Sequence, residues 1–205
     1  MKSVLISIQP KWCELIANGK KTVEVRKTKP KLETPFKVYI YCTNNRGSLH
    51  TGYDGLYYHK SSVGKNDSSC ISGKVIGEFV CKFTYNFTEE NQELCGPSFD
   101  AIRLTPKQLS DYAKGKMIYG WHISDLVIYD KPRELSEFVV PSKIGCANEG
   151  KCKGCIYLDE GNGYNVEDDC SACFSTDEFK PLRKAPQSWC YVESGAQLPG
   201  GKDIF

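Results

Sequence analysis

A short charged motif near the N-terminus is the part of the sequence best suited to chemistry. Gly19, Lys21, Glu24 and Arg26 form the pattern G-x-K-x-x-E-x-R. Glycine allows a tight backbone turn, and residues two apart on a strand point to the same side, so the pattern predicts that the three charged side chains converge. Grouped charges of this kind in a cleft are typical of binding or catalytic sites. The alternative is a surface network of salt bridges, each worth about 0–1 kcal/mol when exposed.

The protonation state of Lys21 separates two kinds of chemistry. A hydrolase would need Lys21 to be neutral, because only the free amine can take up a proton or activate water. The neighbouring carboxylate of Glu24 favours the charged form instead, which suits the binding of an anion or of the edge of a base. The residues themselves therefore favour binding over catalysis.

Aromatic side chains could add a stacking surface to the motif. Trp12, Tyr41 and Trp121 are the candidates, because a base stacked on an aromatic ring gains about 1–3 kcal/mol. Packing in the core is the alternative for each of the three. The predicted ligand-binding residues are Trp12, Lys20, Lys21, Thr22, Glu24, Arg26, Tyr41 and Trp121.

Positive charge is concentrated in the same part of the chain. Residues 1–37 contain nine Lys and Arg side chains against three Glu, although the net formal charge of the 205 residues is only +2. Clustered positive charge is the chief source of affinity for phosphate, so this segment is predicted to meet a phosphate-containing ligand. A solvated lysine-rich face would have the same composition.

A second candidate site lies in the C-terminal part, which contains six of the eleven cysteines. Cys152-x-x-Cys155 and Cys170-x-x-Cys173 are separated by fourteen residues, close to the spacing of a zinc ribbon. Four thiolates would complete a tetrahedral structural zinc site and supply folding free energy to a segment that is poor in apolar residues. Free thiols, an iron–sulfur cluster and a redox disulfide are the alternatives. Two further cysteines could replace one of the four ligands: Cys146 and Cys190.

Local sequence signals predict the elements that position the motif. Pro10 suits a first helical position and Gly19 a helix end, which predicts a short helix over about residues 10–18. The following TVEVR, residues 22–26, alternates between polar and apolar side chains. We therefore expect a strand whose valines face the core and whose polar side faces water or a cleft.

Alternating and apolar stretches predict further strands at 37–43, at 73–83 and in the sequences MIYGWHI and DLVIYDKP. A second short helix should follow Thr105, an N-cap residue. Gly77 should mark a bulge or a close backbone approach. Several strands with two short helices indicate an α+β or barrel architecture. The side chains expected to point inward from the 73–83 strand are Val75, Phe79, Cys81 and Phe83.

The domain organisation follows from composition. We predict a main domain over 1–141 with an insertion at about 44–72. Gly, Ser, Asn and Tyr predominate in the insertion. A connection of this length is expected to be either a functional lid or a segment that becomes ordered on binding. A Cys-rich module over 142–194 should pack back on the main domain, so that Trp189 contacts it, and 195–205 should be a flexible tail. No membrane-spanning stretch or signal peptide is evident, so we expect a cytoplasmic location.

The motif and several stretches around it resemble the ASCH family, a branch of the PUA-like barrels. Besides G-x-K-x-x-E-x-R, the resemblance rests on SIQPKW, KVYIY, KVIGEF and YGWHI. It implies an α+β fold with a PUA-like mixed β-barrel and short helices, here followed by a small Cys-rich zinc-binding appendage. KPLRKAPQSWCYVE, residues 180–193, is similar to a C-terminal segment of ASCH-containing proteins from bacteriophages and gut bacteria. This implies the cytoplasm of a bacterial or phage-infected cell.

The resemblance also implies a function. Many ASCH and PUA-like domains are inferred to bind RNA or modified nucleosides, and some small bacterial members are amidohydrolases that remove the acyl group from N-acetylated cytidine. In those enzymes the motif lysine is catalytic, with a threonine and a glutamate as helpers. Lys21 matches the lysine, but Glu24 occupies the position of the helper threonine.

Three hypotheses about function follow. The first is the binding of RNA or a modified nucleotide in a basic cleft. The second is an amidohydrolase for N-acylated nucleosides, in which Lys21 and Glu24 are the catalytic residues. The third is a module that uses its acidic Cys-rich segment to contact a host protein. The sequence does not indicate an oligomeric state.

Overall fold

The structure, a computed structural model, describes residues 2–61, 67–88, 90–141, 144–146, 173–175 and 179–193. It is mostly sheet with a few short helices, which confirms the α+β prediction. Among the helices that it describes, none has the length and hydropathy needed to span a bilayer. The helices are α1 (Pro10–Ala17), α2 (Gln92–Cys95), α3 (Phe99–Ile102), α4 (Pro106–Ala113) and a 3-10 turn (Leu135–Glu137). The strands are β1 (Lys2–Ile8), β2 (Val23–Arg26), β3 (Phe36–Cys42), β4 (Ser48–Thr51), β5 (Tyr57–Lys60), β6 (Val75–Cys81), β7 (Thr84–Phe87), β8 (Ile118–His122), β9 (Ser124–Arg133), β10 (Val139–Pro141), β11 (Ile144–Cys146), β12 (Cys173–Ser175), β13 (Phe179–Pro181) and β14 (Trp189–Glu193).

Two sheets form the body of the described protein. The main sheet has seven strands in the order β13-β10-β14-β1-β3-β6-β9, and a second sheet has the order β2-β8-β7. β1 and β3 pair in parallel, while β14 pairs antiparallel with the other side of β1. The two sheets meet at a corner where the His122 N–H donates to Phe83 O over 3.2 Å. The main sheet ends in the edge strands β13 and β9 and the second sheet in β2 and β7, so the described strands do not close into the predicted barrel.

Three apolar clusters lie between and around these sheets. The largest joins α1, β1, β3 and β6 to Trp121 of β8. A second lies under α3 and α4 and includes the valines of β2, and a third covers the opposite face of the main sheet, around Leu5 and Tyr39. Both faces of β1 and β3 are therefore buried, and the polar face of β2 is directed into the space between the sheets.

Local signals placed most elements correctly. α1 begins at Pro10 as predicted, and Thr105 closes a capping box with Gln108 at the start of α4. A Cβ at Gly77 would lie 2.3 Å from Val127 O, which confirms the predicted close approach. The inward position predicted for Phe83 is wrong. This residue follows the end of β6, where the alternation stops, and its side chain is 43% exposed and stacks on His122.

The predicted insertion at 44–72 contains a hairpin. β4 pairs antiparallel with β5, and the amide of Asn18 at the end of α1 holds the hairpin through two hydrogen bonds. Asn18 Nδ2 donates to Tyr57 O over 2.8 Å, and the Tyr57 N–H donates to Asn18 Oδ1 over 3.0 Å. The hairpin is thus anchored beside the turn that begins the charged motif.

Candidate functional site

The turn between α1 and β2 presents the charged motif. Gly19 has a φ of +69°, a left-handed conformation that glycine adopts without a steric penalty. The N–H groups of Lys20 and Lys21 both donate to Leu15 O, over 2.7 and 2.9 Å, and so close the end of the helix. The chain then enters β2 directly, so Lys21 and the first residues of the strand lie on one short, rigid segment.

The three charged side chains of the motif converge. Lys21 Nζ lies 3.5 Å from Glu24 Oε2, and Arg26 Nη2 lies 3.0 Å from Glu24 Oε1. Their side chains are only 3%, 8% and 12% exposed, respectively. The alternative of an exposed surface network is therefore wrong: the two cations share one carboxylate in the interior, where the desolvation of each charge is costly.

Backbone carbonyls from other elements hold the two cations. Lys21 Nζ donates to Ile102 O at the end of α3 over 2.6 Å, and Arg26 Nη2 donates to Ser7 O of β1 over 2.7 Å. Arg26 thereby bridges the two sheets. Neither partner was predicted from the sequence, because any residue can supply a backbone carbonyl as an acceptor. Ser188, whose Oγ lies 3.5 Å from Arg26 Nη1, was not predicted either.

Burial changes the acidity of Lys21. Desolvation lowers the pKa of this ammonium, the neighbouring Glu24 carboxylate acts in the opposite direction, and the charge of Arg26 adds to the lowering. The net effect is a pKa below the ordinary lysine range. The expectation that Glu24 tips Lys21 toward the charged form therefore needs correction, because burial has the larger effect on its pKa.

The predicted aromatic residues take three different positions. Trp12 is half-buried, and its ring centroid lies 5.3 Å from Lys21 Nζ. Trp121 is fully buried and packs edge-on against Phe36, so it belongs to the core and offers no stacking face to solvent. Tyr41 packs in the cluster on the opposite face of the main sheet, because it alternates with Ile40 and Cys42 along β3. Only Trp12 joins the charged triplet.

The two remaining predicted residues lie at the surface beside the triplet. Lys20 and Thr22 are both exposed. Their backbones tie the turn to its surroundings: Arg103 Nε donates to Lys20 O over 2.6 Å, and the Thr22 N–H donates to Ala101 O over 3.1 Å.

The predicted zinc ligands fall mostly outside the described residues. Cys152, Cys155 and Cys170 lie there, while Cys173 of β12 is the register partner of Cys146 of β11. Cys190 lies in β14 opposite Leu5, and burial raises the pKa of its thiol to about 12. In the part of the chain that the structure covers, no three His, Cys, Asp or Glu side chains are grouped to hold a metal ion.

The family model for the ASCH domain matches residues 6–123, more than half of the chain and the part that contains the charged triplet. The chain belongs to the ASCH domain family. No curated protein matches it. Solved structures similar to this ASCH domain include ASCH from Zymomonas mobilis, with 21% identity, coverage of 65% of this chain and 73% of that one, and a TM-score of 0.45. A point mutant of the same Zymomonas mobilis protein has 20% identity, coverage of 66% and 77%, and a TM-score of 0.46.

Within this ASCH domain, Glu24 is the ion-pair partner of both Lys21 and Arg26. Glu24 accepts from both cations, one through each carboxylate oxygen. The geometry therefore provides a rigid, pre-organised group of donors with one amine of lowered pKa. Such a group can take part in binding an anionic or polar ligand, and the Lys21 amine could accept a proton when it is in its deprotonated form.

Proposed function

We propose that this ASCH domain binds RNA or a modified nucleotide at the N-terminal segment around Lys21, Glu24 and Arg26. The observation that carries the proposal is the combination of a buried charged triplet with lysines that lie over aromatic rings around it. Lys11 Nζ lies 4.9 Å from the ring centroid of Trp12, and Lys27 Nζ lies 5.0 Å from that of Tyr112.

Paired cations and aromatic rings suit single-stranded nucleic acid. Lysines attract the phosphates through counterion release, and aromatic faces accept bases of any sequence. The lysines named here are exposed, whereas the triplet is buried. We therefore assign the phosphate contacts to the surface lysines and the selection of a particular base or modification to the rigid interior group.

Fluorescence anisotropy with a short labelled single-stranded RNA over a salt series tests this proposal. The double variant Lys11→Ala/Lys27→Ala should flatten the slope of log K against log salt by about 1.4, because each phosphate contact on a single strand contributes about 0.7.

The matched control is Lys74→Ala/Lys82→Ala. It removes the same charge from lysines that are paired with Glu134 at 2.9 Å and Asp125 at 3.2 Å. It should leave the slope unchanged. Equal slopes for both double variants and the wild type would contradict the proposal.

An amidohydrolase is the second candidate, and the lowered pKa of Lys21 is the observation that favours it. A buried amine whose pKa is lowered gives up its proton more readily than an ordinary lysine, and its deprotonated form could act as a base on an N-acylated nucleoside. Glu24 would then hold the amine in place rather than supply a hydroxyl. Incubation with N-acetylated cytidine, followed by chromatography, tests this: turnover should be lost in Lys21→Met and kept in Lys82→Ala. Absence of turnover in the wild type would exclude this substrate.

We further propose that the Cys-rich segment binds one structural zinc ion through Cys152, Cys155, Cys170 and Cys173. Its support is the CxxC spacing and the antiparallel β11–β12 pairing, which places Cys146 beside Cys173 in register. A reducing, cytoplasmic setting is part of this proposal, since the thiols must stay reduced. Elemental analysis of the purified protein should give one zinc per chain, and Cys170→Ser should lower this value. Zinc well below one equivalent in the wild type would contradict it.

A further inference from the structure

A concave site lies near the charged triplet, and none of the predicted ligand-binding residues lines it. Its volume is about 410 Å³, and it opens between the β2–β3 connection and the start of β7. Small-molecule sites typically measure roughly 300–1,000 Å³. The residues that line it include Lys29, Leu32, Glu33, Thr34, Phe36 and Thr84.

The lining combines an apolar base with a polar rim. Phe36 is only 6% exposed, and Leu32 is half-buried against the main cluster. Lys29, Glu33 and Thr34 are exposed at the edge. This is the distribution expected of a site that takes a flat, partly polar ring: the ring covers the apolar base, and the rim contacts its polar edge.

Trp121 packs against Phe36 on the side away from the opening of this site. Its ring centroid lies 5.8 Å from that of Phe36, and it is the register partner of Thr84 on β7. Trp121 is fully buried, and its indole N–H has no hydrogen-bond partner within the described residues. Trp121 is not itself one of the lining residues, so it supports the ring of Phe36 from behind rather than contacting an occupant.

Lys29 supplies a cation at the rim. Its Nζ lies 3.4 Å from Asn86 Oδ1 and 5.4 Å from the ring centroid of Tyr119. Both partners lie on adjacent strands of the small sheet, so the ammonium is held at the mouth of the site while its side chain stays exposed. An ammonium in this position suits a phosphate group.

We propose that this site, lined by Lys29, Leu32, Glu33, Phe36 and Thr84, binds one nucleotide of a single-stranded RNA, with the base over Leu32 and the accessible edge of Phe36 and the phosphate at Lys29. The Glu33 carboxylate at the rim accepts hydrogen bonds only, so it favours the bases that carry an exocyclic amino group, cytosine, adenine and guanine, over uracil. The inference rests on the proposed function and adds to it a second position for the strand and a base preference.

Filling the site tests the inference. Thr84→Trp places an indole in it on a strand that tolerates aromatic residues. This variant should weaken the binding of oligo(C) at least fivefold or so, the effect of losing one stacked base. The control Val127→Trp adds the same side chain at a position on β9 that is 51% exposed. It should bind oligo(C) like the wild type, and thermal melting checks that both variants fold.

Base preference provides a second readout. Wild-type protein should bind oligo(C) more tightly than oligo(U), and Glu33→Gln, whose amide can also donate, should reduce this preference. If the wild type binds RNA and Lys11→Ala/Lys27→Ala weakens binding while Thr84→Trp does not, the nucleotide site is refuted and the proposed function stands. If the wild type binds no RNA, both are refuted.

Discussion

The ammonium nitrogen of Lys21 lies 3.5 Å from the carboxylate of Glu24, and both side chains are almost wholly buried. Arg26 contacts the same carboxylate from the other side. The Glu24 carboxylate thus pairs with two cations, in a buried position where desolvation favours the neutral form of Lys21. Two consequences can be measured directly: the titration of Lys21 and the cost of removing the shared carboxylate.

The titration of Lys21 should respond to its two neighbours in opposite directions. Burial lowers its pKa, Glu24 raises it and Arg26 lowers it. Glu24→Gln should therefore lower the pKa further, whereas Arg26→Gln should raise it. NMR of isotope-labelled lysine side chains gives these values. A Lys21 resonance that titrates together with those of the exposed lysines would contradict the assignment.

The lowered pKa of Lys21 also makes stability depend on pH. Because this pKa is lower in the folded state than in the unfolded chain, the free energy of unfolding increases as the pH rises through the folded-state pKa. The gain is complete only above the unfolded-state pKa.

Removal of the shared carboxylate should destabilise the fold. Glu24→Ala leaves two buried cations without their anion, which typically costs about 3–5 kcal/mol. Urea denaturation measures the effect. Asp111→Ala removes the acid of the exposed Lys107–Asp111 pair and should change stability by no more than about 0.5 kcal/mol.

A triple variant separates charge from packing. Lys21→Met/Glu24→Leu/Arg26→Met replaces all three charges by apolar groups of similar size. It should recover most of the lost stability, because buried ion pairs are rarely more stabilising than well-packed apolar groups. Equal losses for Glu24→Ala and the triple variant would show that the site is not a charge-balanced unit.

Asn18 should control the order of the β4–β5 hairpin. Asn18→Ala removes both hydrogen bonds to the backbone of Tyr57, each worth about 0.5–1.5 kcal/mol. Hydrogen exchange of the Tyr57 amide should accelerate, while amides in β1 should stay protected. The control Asn45→Ala alters an exposed side chain in the same insertion and should leave the Tyr57 amide unchanged. Faster exchange throughout β1 would instead indicate global destabilisation.

The thiols should differ sharply in reactivity. Burial raises the pKa of both Cys81 and Cys190 to about 12, so almost no thiolate is present at neutral or mildly alkaline pH. Cys95 is exposed. Alkylation in the presence of a chelator, followed by peptide mapping, should modify Cys95 first and the other two only after denaturant is added. Early modification of Cys81 would contradict the described core.

The C-terminal segment shows where local pattern was insufficient. Composition predicts that residues 179–193 belong to the Cys-rich module, yet β14 pairs with β1 in the main sheet. Trp189 packs against Trp121, with ring centroids 6.0 Å apart, and donates to Thr28 Oγ1 over 3.0 Å. The expected contact of Trp189 with the main domain is present, but nothing in the sequence of β14 indicates that its partner strand is β1. The boundary at 141/142 stays a prediction.

The sequence by itself determined the charged turn. Gly19 ends α1, Pro10 and Thr105 begin two helices, and G-x-K-x-x-E-x-R identified the family. These features depend on backbone preferences within a few residues, so they can be recognised without knowing the partners. The convergence of the three charges follows from the same local geometry.

Only the tertiary structure decided what surrounds that turn. Alternation on β2 separates its two faces but does not say that the polar face lies between two sheets, so the burial of Glu24 was not evident. In the same way, Tyr41 and Trp121 look like equivalent aromatics in the sequence, yet one lies on the far face of the main sheet and the other in the core. Burial depends on strand pairings between residues far apart in the chain, and those pairings are set by the packing of the whole domain.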